Sequence, residues 1–412
     1  MNVHEEMAAG PEGLAAVLMG KGALTSDWLP SYEAVPRHWF VPDVIWPGRG
    51  GGNRQDDRVM RGEEPEAWWA AVHRDAPITT QWDDGEYTGP GKGRIPSSSS
   101  SMPTMVFSML DALSVEKGHR VLEIGTGTGW NAALLSHRAG AENVVTVEVD
   151  EGSARDARRR LAEAGFEPLA VVGDGGEGYA EGGPYDRVIA TCSIGRVPRA
   201  WVTQTKPGGI VVAPWGPVYG GEAVVRLSAA GDGTAAGRFV GSSAFMRLRA
   251  QRSVRKHVRE YLGGCDWPAD GVRGTTFLSP DAVGEWEVMF AIGVQVSHAF
   301  PWMESYEDGS YTLWLRDTAV TSWATVDYVR GCVEFEVYQS GPRRLWDEVV
   351  AAHRWWEGRG RPGIERFGLT VDGDGERVWL DSADRPVCGT GSVMPGPTCH
   401  LPRAEPPCRD KP

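Results

Sequence analysis

The fold is decided at residues 121–131, which read VLEIGTGTGWN. The apolar run HRVLEI (119–124) predicts a short buried strand, and WNAALLSHRA (130–139) predicts the helix that follows it. Between them, the glycines at 125, 127 and 129 permit a tight turn and a close approach of the backbone to a ligand. The stretch therefore predicts a ligand-binding loop between a strand and a helix.

The same alternation continues along the chain. NVVTVEV (143–149) predicts a second strand and SARDARRRLAEAG (153–165) a second helix, and the runs LAVVGD, YDRVIATCS and GGIVVAPWG predict further strands. Such alternation predicts an α/β fold, in which helices cover both faces of a Rossmann-like parallel sheet. We expect this first, catalytic domain to span residues 1–249, with a glycine-rich insertion at 47–64.

A second unit follows this core. Residues 250–385 predict an α+β C-terminal domain that begins with a basic helix, AQRSVRKHVREYL (250–262), and ends with a hairpin around DGDGE (372–376). Within the first domain, YTGPGKGRIPSSSSS (87–101) predicts a loop. The proline-rich residues 386–412 predict a flexible tail.

Composition limits the classes of partner. The net charge of −13 over 412 residues argues against nucleic acid or an anionic membrane as a partner. The N-terminal residues lack a signal-peptide pattern, and no apolar run of about 18 residues occurs, so we expect a cytoplasmic protein. Six scattered cysteines without a CxxC pair predict no disulfide framework. A zinc site at Cys388, Cys399, His400 and Cys408 fits no standard ligand spacing, and a frayed tail is the preferred interpretation.

Three acidic residues follow successive predicted strands. Glu123 precedes the glycines, Glu148 ends the second strand, and Asp174 follows the third. A glycine loop of GxGxxG type also binds pyrophosphate, but this loop is GxGxG and a carboxylate at 123 would repel that group. The carboxylate suits the amino or sulfonium end of S-adenosylmethionine, with Glu148 accepting from the ribose hydroxyls and Asp174 from the adenine amino group. A glycine turn with exposed acids explains each residue alone but not their order.

Five sequence segments around this core carry a family resemblance. They are VPRHWFVP (35–42), HRDAPITT (73–80), SMPTMVFSML (101–110), GDGGEGYAEGGPYDRVIATCS (173–193) and VPRAWVTQTKPGGIVVAPWG (197–216). Together they resemble the protein-L-isoaspartate O-methyltransferase family over residues 35–249, which implies a class I S-adenosylmethionine-dependent carboxyl O-methyltransferase. The resemblance implies S-adenosyl-L-methionine as cofactor, contacted by Glu123, Gly125, Thr126, Gly127, Thr128, Gly129, Asn131, Glu148, Val149, Asp174, Gly175 and Thr191.

The resemblance also implies the substrate contacts. Ser101 stands where the family has its substrate-contacting serine, and Ser99 is the second catalytic candidate; the alternative for Ser101 is a helix cap. A carboxylate is ionised at neutral pH and needs no general base, so catalysis consists of orienting it toward the methyl group and excluding water. Cys192 lacks an evident activating base, so we expect its thiol to pack rather than to react.

Departures from the family concern the substrate. About 160 residues follow the resembling region, and with them the chain is similar to actinobacterial members that accompany ribosomally made peptides such as lanthipeptides and graspetides. That resemblance implies methylation of an aspartate side chain in a macrocyclic precursor peptide, whose ester closes to an aspartimide that persists or hydrolyses to isoaspartate. The C-terminal domain would then hold the precursor, with Arg252–Arg259 against an acidic leader; the alternative is that this basic helix is a solvated linker face. Repair of isoaspartate in damaged proteins and a non-catalytic scaffold are the alternatives, and the intact acidic residues and Ser101 disfavour the scaffold.

Overall fold

The computed structural model describes residues 10–47, 58–89 and 91–388. Part of the predicted insertion and most of the predicted tail lie outside these ranges. The helices are α1 (Pro11–Gly20), α2 (Leu29–Ala34), α3 (Pro65–Val72), α4 (Pro103–Leu113), α5 (Trp130–Ala139), α6 (Glu151–Glu163), α7 (Arg199–Thr203), α8 (Val258–Tyr261), α9 (Trp286–Gly293) and α10 (Leu345–Glu357).

The strands fall into three groups along the chain. The first is β1 (Val44–Pro47), β2 (Val59–Met60), β3 (Ile78–Trp82) and β4 (Pro96–Ser100). The second is β5 (Val121–Ile124), β6 (Val144–Glu148), β7 (Leu169–Val172), β8 (Tyr185–Ala190), β9 (Thr205–Trp215), β10 (Ala223–Ala229) and β11 (Ala235–Ser242). The third is β12 (Val272–Thr276), β13 (Ala299–Ser305), β14 (Tyr311–Asp317), β15 (Trp323–Tyr328), β16 (Phe335–Ser340), β17 (Phe367–Asp372) and β18 (Gly375–Leu380).

A nine-stranded sheet forms the centre, in the order β18-β17-β11-β10-β9-β8-β5-β6-β7. Strands β7, β6, β5, β8 and β9 are parallel neighbours, and the remaining strands are antiparallel. Chain order runs outward from β5 in both directions, so a crevice opens beside the carboxyl end of β5, where ligands bind in such sheets. The predicted α/β Rossmann-like fold is confirmed.

The serine run is a strand, not the loop that we predicted for residues 87–101. Residues 96–100 form β4, which pairs antiparallel with β3 in a four-stranded sheet of order β2-β1-β3-β4. Serine has little preference for strands, so pairing with β3 overrides the local preference. The strand carries a row of hydroxyl groups across the crevice beside β5.

The basic helix predicted at 250–262 is also wrong in extent. Only Val258–Tyr261 is α-helical, capped by His257, and residues 252–257 have no helical structure. Arg252 does not lie on a helix, and its guanidinium binds Asp84 of the first domain. This segment therefore connects the two halves of the chain in extended form.

The C-terminal unit packs on the central sheet. A five-stranded antiparallel sheet of order β12-β16-β15-β14-β13 is accompanied by α9 and α10. Phe290 of α9 packs edge-on against Phe239 and Phe367, with ring centroids 4.9 and 5.4 Å apart. The predicted hairpin around DGDGE is present as β17–β18, and β17 pairs with β11. The domain division at 249/250 stays a prediction, but these last strands extend the first domain's sheet.

Within the described ranges, no helix is long and apolar enough to cross a membrane. The free cysteines there are Cys192, Cys265 and Cys332. Cys388, a member of the weighed zinc site, also lies within the described ranges. The other members of the weighed zinc site, at 399, 400 and 408, lie outside the described residues.

Candidate active site

A cavity of about 590 Å³ opens at the carboxyl ends of β5, β6 and β8. This volume suits a ligand of cofactor size. One wall is the glycine loop after β5, the opposite wall is β4 with the start of α4, and residues 242–249 and 252 close the third side. Among the predicted cofactor residues, the cavity is lined by Gly125, Thr126, Gly127, Thr128, Asn131, Glu148, Val149, Gly175 and Thr191.

The glycine loop requires glycine at its centre. Gly127 has φ +54°, and a Cβ there would lie 3.5 Å from the carbonyl oxygen of Ser99. The loop and the serine strand therefore approach within contact distance, which joins the predicted cofactor and substrate residues in one cavity. Gly129 lies just behind the wall, as the residue before α5.

Glu148 holds the glycine loop from the neighbouring strand. Its carboxylate accepts hydrogen bonds from the amides of Gly127 (2.9 Å) and Asp150 (3.1 Å), and the side chain lines the cavity. The exposed Val149 lies beside it. Carboxylate oxygens at this strand end are placed to accept from ribose hydroxyls; that role for Glu148 stays a prediction.

The structure places Glu123 away from the predicted contact with the cofactor. It is fully buried and absent from the cavity wall, and its oxygens accept from Asn131 Nδ2 (2.7 Å) and Thr146 Oγ1 (2.6 Å). Burial raises the pKa of Glu123 to about 7. Because Asn131 lines the cavity, Glu123 acts on the site by fixing this amide rather than by touching a ligand.

Asp174 also differs from its predicted contact. It is exposed, lies outside the cavity wall, and its carboxylate accepts from the amide of Gly176 (2.8 Å). The neighbouring Gly175 does line the cavity, and its carbonyl is held by the indole of Trp201 (2.8 Å). The adenine contact of Asp174 stays a prediction that needs its side chain to leave this turn.

Thr191 and Cys192 end the fourth parallel strand. The Thr191 hydroxyl donates to the carbonyl of Gly125 (2.5 Å), which ties β8 to the glycine loop. Burial raises the pKa of the Cys192 thiol to about 12, and the nearby Glu148 and Glu222 add to the shift. A thiol of this kind is not ionised at neutral pH, so Cys192 packs rather than reacts.

Ser101 does not cap helix α4. The first-turn amide of Thr104 is taken by Asp75 Oδ1 (2.8 Å), and the Thr104 hydroxyl donates to Asp75 Oδ2 (2.6 Å). Met102 is the capping position and makes no side-chain cap. The helix-cap alternative for Ser101 is therefore wrong, and both Ser101 and Ser99 line the cavity.

Arg37 is a residue that the sequence reasoning missed. Its buried guanidinium donates to the carbonyls of Ser100 (3.1 Å) and Ser101 (2.9 Å), and to the Ser100 hydroxyl (3.2 Å). The remaining bonds go to the carbonyls of residues 72, 74 and 76. Burial lowers the pKa of Arg37 to about 9, so the group remains cationic at neutral pH. The only sequence signal was its place in VPRHWFVP.

The third side of the cavity is also built by residues that sequence reasoning missed. Arg247, Arg249 and Arg252 line it, and so does Trp286 from α9 of the C-terminal unit. Asp84, in the turn after β3, binds Arg252 (2.8 Å) and Arg249 (3.0 Å). We name these three charged residues, Asp84, Arg249 and Arg252, the clasp, because they join the β3–β4 hairpin to the segment after β11.

A glycine loop after the first parallel strand, a carboxylate at the end of the second, and a cavity at the switch point are the features of a Rossmann-like cofactor site, and they fit a methyltransferase of the class that uses S-adenosyl-L-methionine. The family model for protein-L-isoaspartate (D-aspartate) O-methyltransferase matches residues 55–253. The protein is 37% identical over 234 residues to protein-L-isoaspartate O-methyltransferase 2 of Polaromonas sp., covering 57% of this chain and 92% of that one. This chain belongs to the protein-L-isoaspartate O-methyltransferase family.

The chain is also similar to a second curated relative and to a solved structure. Protein-L-isoaspartate O-methyltransferase 1 of Cupriavidus necator is 32% identical over 225 residues, covering 54% of this chain and 72% of that one. A solved protein-L-isoaspartate O-methyltransferase superposes with a TM-score of 0.49 at 21% identity, covering 90% of this chain and 100% of that one.

The residues present fit the cofactor. The glycine loop lets a ligand approach its backbone closely, and Glu148 offers carboxylate oxygens. Both line the cavity of about 590 Å³. The cofactor is S-adenosyl-L-methionine, and the chain is a carboxyl O-methyltransferase.

Proposed function

We propose that the chain methylates the free α-carboxylate of isoaspartyl residues in polypeptides. The observation that carries this proposal is the single cavity in which the glycine loop faces the serine strand β4, in a chain of this family. Bound S-adenosyl-L-methionine supplies a methyl group on a positively charged sulfur. The glycine loop and Glu148 would hold the cofactor, and the substrate carboxylate oxygen would accept the methyl group while the electron pair of the carbon–sulfur bond stayed on sulfur.

The chain's own groups orient the carboxylate. The hydroxyls of Ser99 and Ser101 lie on the cavity wall opposite the glycine loop. Arg37 fixes the backbone of the serine strand, so these hydroxyls hold one position without rearrangement during the reaction. Positioning of this kind is the main contribution available, because the carboxylate is already ionised at neutral pH.

Electrostatics and apolar groups complete the substrate side. The guanidinium groups of residues 247, 249 and 252 favour an anionic substrate at the cavity mouth, although the last two are partly neutralised by Asp84. Met102, Met105 and Met109 line the adjoining wall and exclude water from the reacting groups.

A second candidate is methylation of an aspartate side chain in a ribosomally made, macrocyclic precursor peptide, which leads to aspartimide and then to isoaspartate. The observation that favours it is Trp286, which brings the C-terminal unit into the cavity wall and gives this unit a part in substrate recognition. A macrocycle would hold the new ester close to the following backbone nitrogen, which speeds aspartimide closure. In this candidate the extended residues 252–257 are where an acidic leader binds.

Mass spectrometry of two peptides tests the proposal. A linear isoaspartyl peptide and a macrocyclic peptide with an ordinary aspartate are incubated with the full chain and S-adenosyl-L-methionine. Gain of one methyl group on the isoaspartyl peptide alone supports the proposal. Gain of a methyl group followed by loss of methanol on the cyclic peptide alone would replace it with the second candidate.

A further inference from the structure

We propose that Trp286 is a specificity-determining residue, which receives an apolar side chain next to the methylated residue of the substrate. This inference deepens the proposed function and rests on it, since the occupant is part of the same polypeptide. Trp286 lines the active-site cavity although it belongs to α9, an α-helix of the C-terminal unit.

The position of Trp286 is fixed by contacts with the catalytic half. Its indole N–H donates to the carbonyl oxygen of Glu222 (2.8 Å). Helix α9 lies so close to the turn before β10 that a Cβ on Gly221 would be 2.1 Å from the amide nitrogen of Phe290 and 2.6 Å from the carbonyl oxygen of Trp286. Gly221 has φ +74°, so a side chain is disfavoured there on both grounds. The helix therefore cannot slide, and its first residue stays at the cavity.

Trp286 nevertheless remains accessible. Its side chain is 41% exposed, while Phe290, one turn further along the helix, is fully buried. An indole that has one bound N–H and an exposed ring offers an apolar surface with a fixed orientation.

The surface around Trp286 continues into the reaction site. Phe245 and Met246 line the same cavity from the segment after β11, and Met102 and Met105 do so from the start of α4. These apolar groups adjoin Ser101, where we place the substrate carboxylate. A residue that flanks the methylated one is the part of the substrate that reaches this surface, and an apolar side chain is the one that it stabilises.

The experiment uses two isoaspartyl peptides that are identical except for the flanking residues, which are leucine in one and serine in the other. For the full-length wild type we expect kcat/KM about 10-fold higher with leucine, mainly through KM, because burying one leucine side chain favours binding by this order. Trp286→Ala should bring the leucine peptide down to the value of the serine peptide, and Trp286→Phe should restore part of the difference. The affinity for S-adenosyl-L-homocysteine should not change in either variant.

Trp302→Ala is the matched control. Trp302 is an exposed tryptophan of the same unit (54%) that does not line the cavity, so its loss should leave the preference intact. Binding of both peptides by isothermal titration calorimetry provides a readout without turnover. A leucine preference in binding without methylation would contradict the proposed function but support this inference. Equal affinity of the wild type for both peptides, or a preference that survives Trp286→Ala, would overturn it.

Discussion

The two sides of the active-site cavity are built in different ways. The cofactor side consists of one short stretch, the glycine loop, and strand ends that follow it in order: Gly127 binds Glu148, and Thr191 binds Gly125. The substrate side is held by residues from outside that series of strands, since Arg37, which precedes β1, binds Ser101, and Arg252, which follows β11, binds Asp84. The first side follows from the regular order of the parallel strands, whereas the second depends on where segments outside that order pack.

Arg37 gives the largest expected effect, because it joins the serine strand to the end of α3 and the segment after it. Arg37→Leu leaves the carbonyls of Ser100 and Ser101 buried without their donor, and each such unsatisfied group costs about 1–3 kcal/mol of unfolding free energy. Displacement of the serine strand by about 1 Å would lower kcat/KM roughly 100-fold. Urea unfolding and peptide methylation assays measure both quantities.

Arg37→Lys separates charge from geometry. Lysine keeps the positive charge but cannot span the same set of carbonyls, so we expect it to recover little activity. Arg138→Met is the control, because Arg138 also binds backbone carbonyls, those of Val115 and Asp27, but away from the cavity. If Arg37→Lys is fully active, the guanidinium geometry is not what positions the serine strand.

Two substitutions distinguish the cofactor side of the cavity from the substrate side. Glu148→Gln should weaken cofactor affinity by about 10- to 100-fold, since a hydrogen bond to a charged group contributes about 1.5–3 kcal/mol. Ser101→Ala should lower kcat/KM by a similar factor and leave cofactor affinity unchanged. Calorimetric titration with S-adenosyl-L-homocysteine and methylation kinetics distinguish them. A large loss of cofactor affinity in Ser101→Ala would show that Ser101 belongs to the cofactor side.

The contrast between the two sides also explains what the sequence could predict. The parallel sheet and the glycine loop follow from hydrophobic runs and glycine spacing, which are local. The strand identity of residues 96–100 does not, because it depends on pairing with β3. Glu123 shows a further limit of sequence-based prediction. Its position before the glycines is visible in the sequence, but the hydrogen bonds that its carboxylate accepts from Asn131 and Thr146 are not.

Glu376 tests how far the C-terminal hairpin stabilises the central sheet. Burial raises the pKa of Glu376 to about 7, while its carboxylate accepts from the amide of Val197 and the indole of Trp215. Its pKa in the unfolded chain is about 4.3, so the stabilisation by the protonated form is complete below that pH and is lost as pH rises through 7.

Glutamine stays neutral at every pH. The Tm of Glu376→Gln minus that of the wild type should therefore become more positive between pH 5 and pH 8, by a few degrees, as calorimetry can measure. The exposed Glu365 supplies the control Glu365→Gln, for which the difference should stay flat. A flat difference for Glu376→Gln as well would mean that this carboxylate is ionised in the folded protein without cost.

The clasp gives the smallest expected effect and tests only the substrate side. Asp84 is 40% exposed at its side chain, and its partners Arg249 and Arg252 are 30% and 24% exposed, so each ion pair contributes about 0.2–1 kcal/mol. Asp84→Asn should release the β3–β4 hairpin from the segment after β11, and we expect this to outweigh the gain in positive charge and to raise the KM for an isoaspartyl peptide about 2- to 5-fold, with little change in cofactor affinity. Salt should mimic the substitution, because partly exposed ion pairs are screened, and the difference in KM between variant and wild type should become smaller at high ionic strength.

Asp27→Asn is the control. It removes an exposed pair with Arg138 outside the cavity and should not change KM. For Asp84→Asn, a fall in KM would contradict this prediction. It would show that the main effect of Asp84 is to neutralise Arg249 and Arg252, which attract the substrate carboxylate.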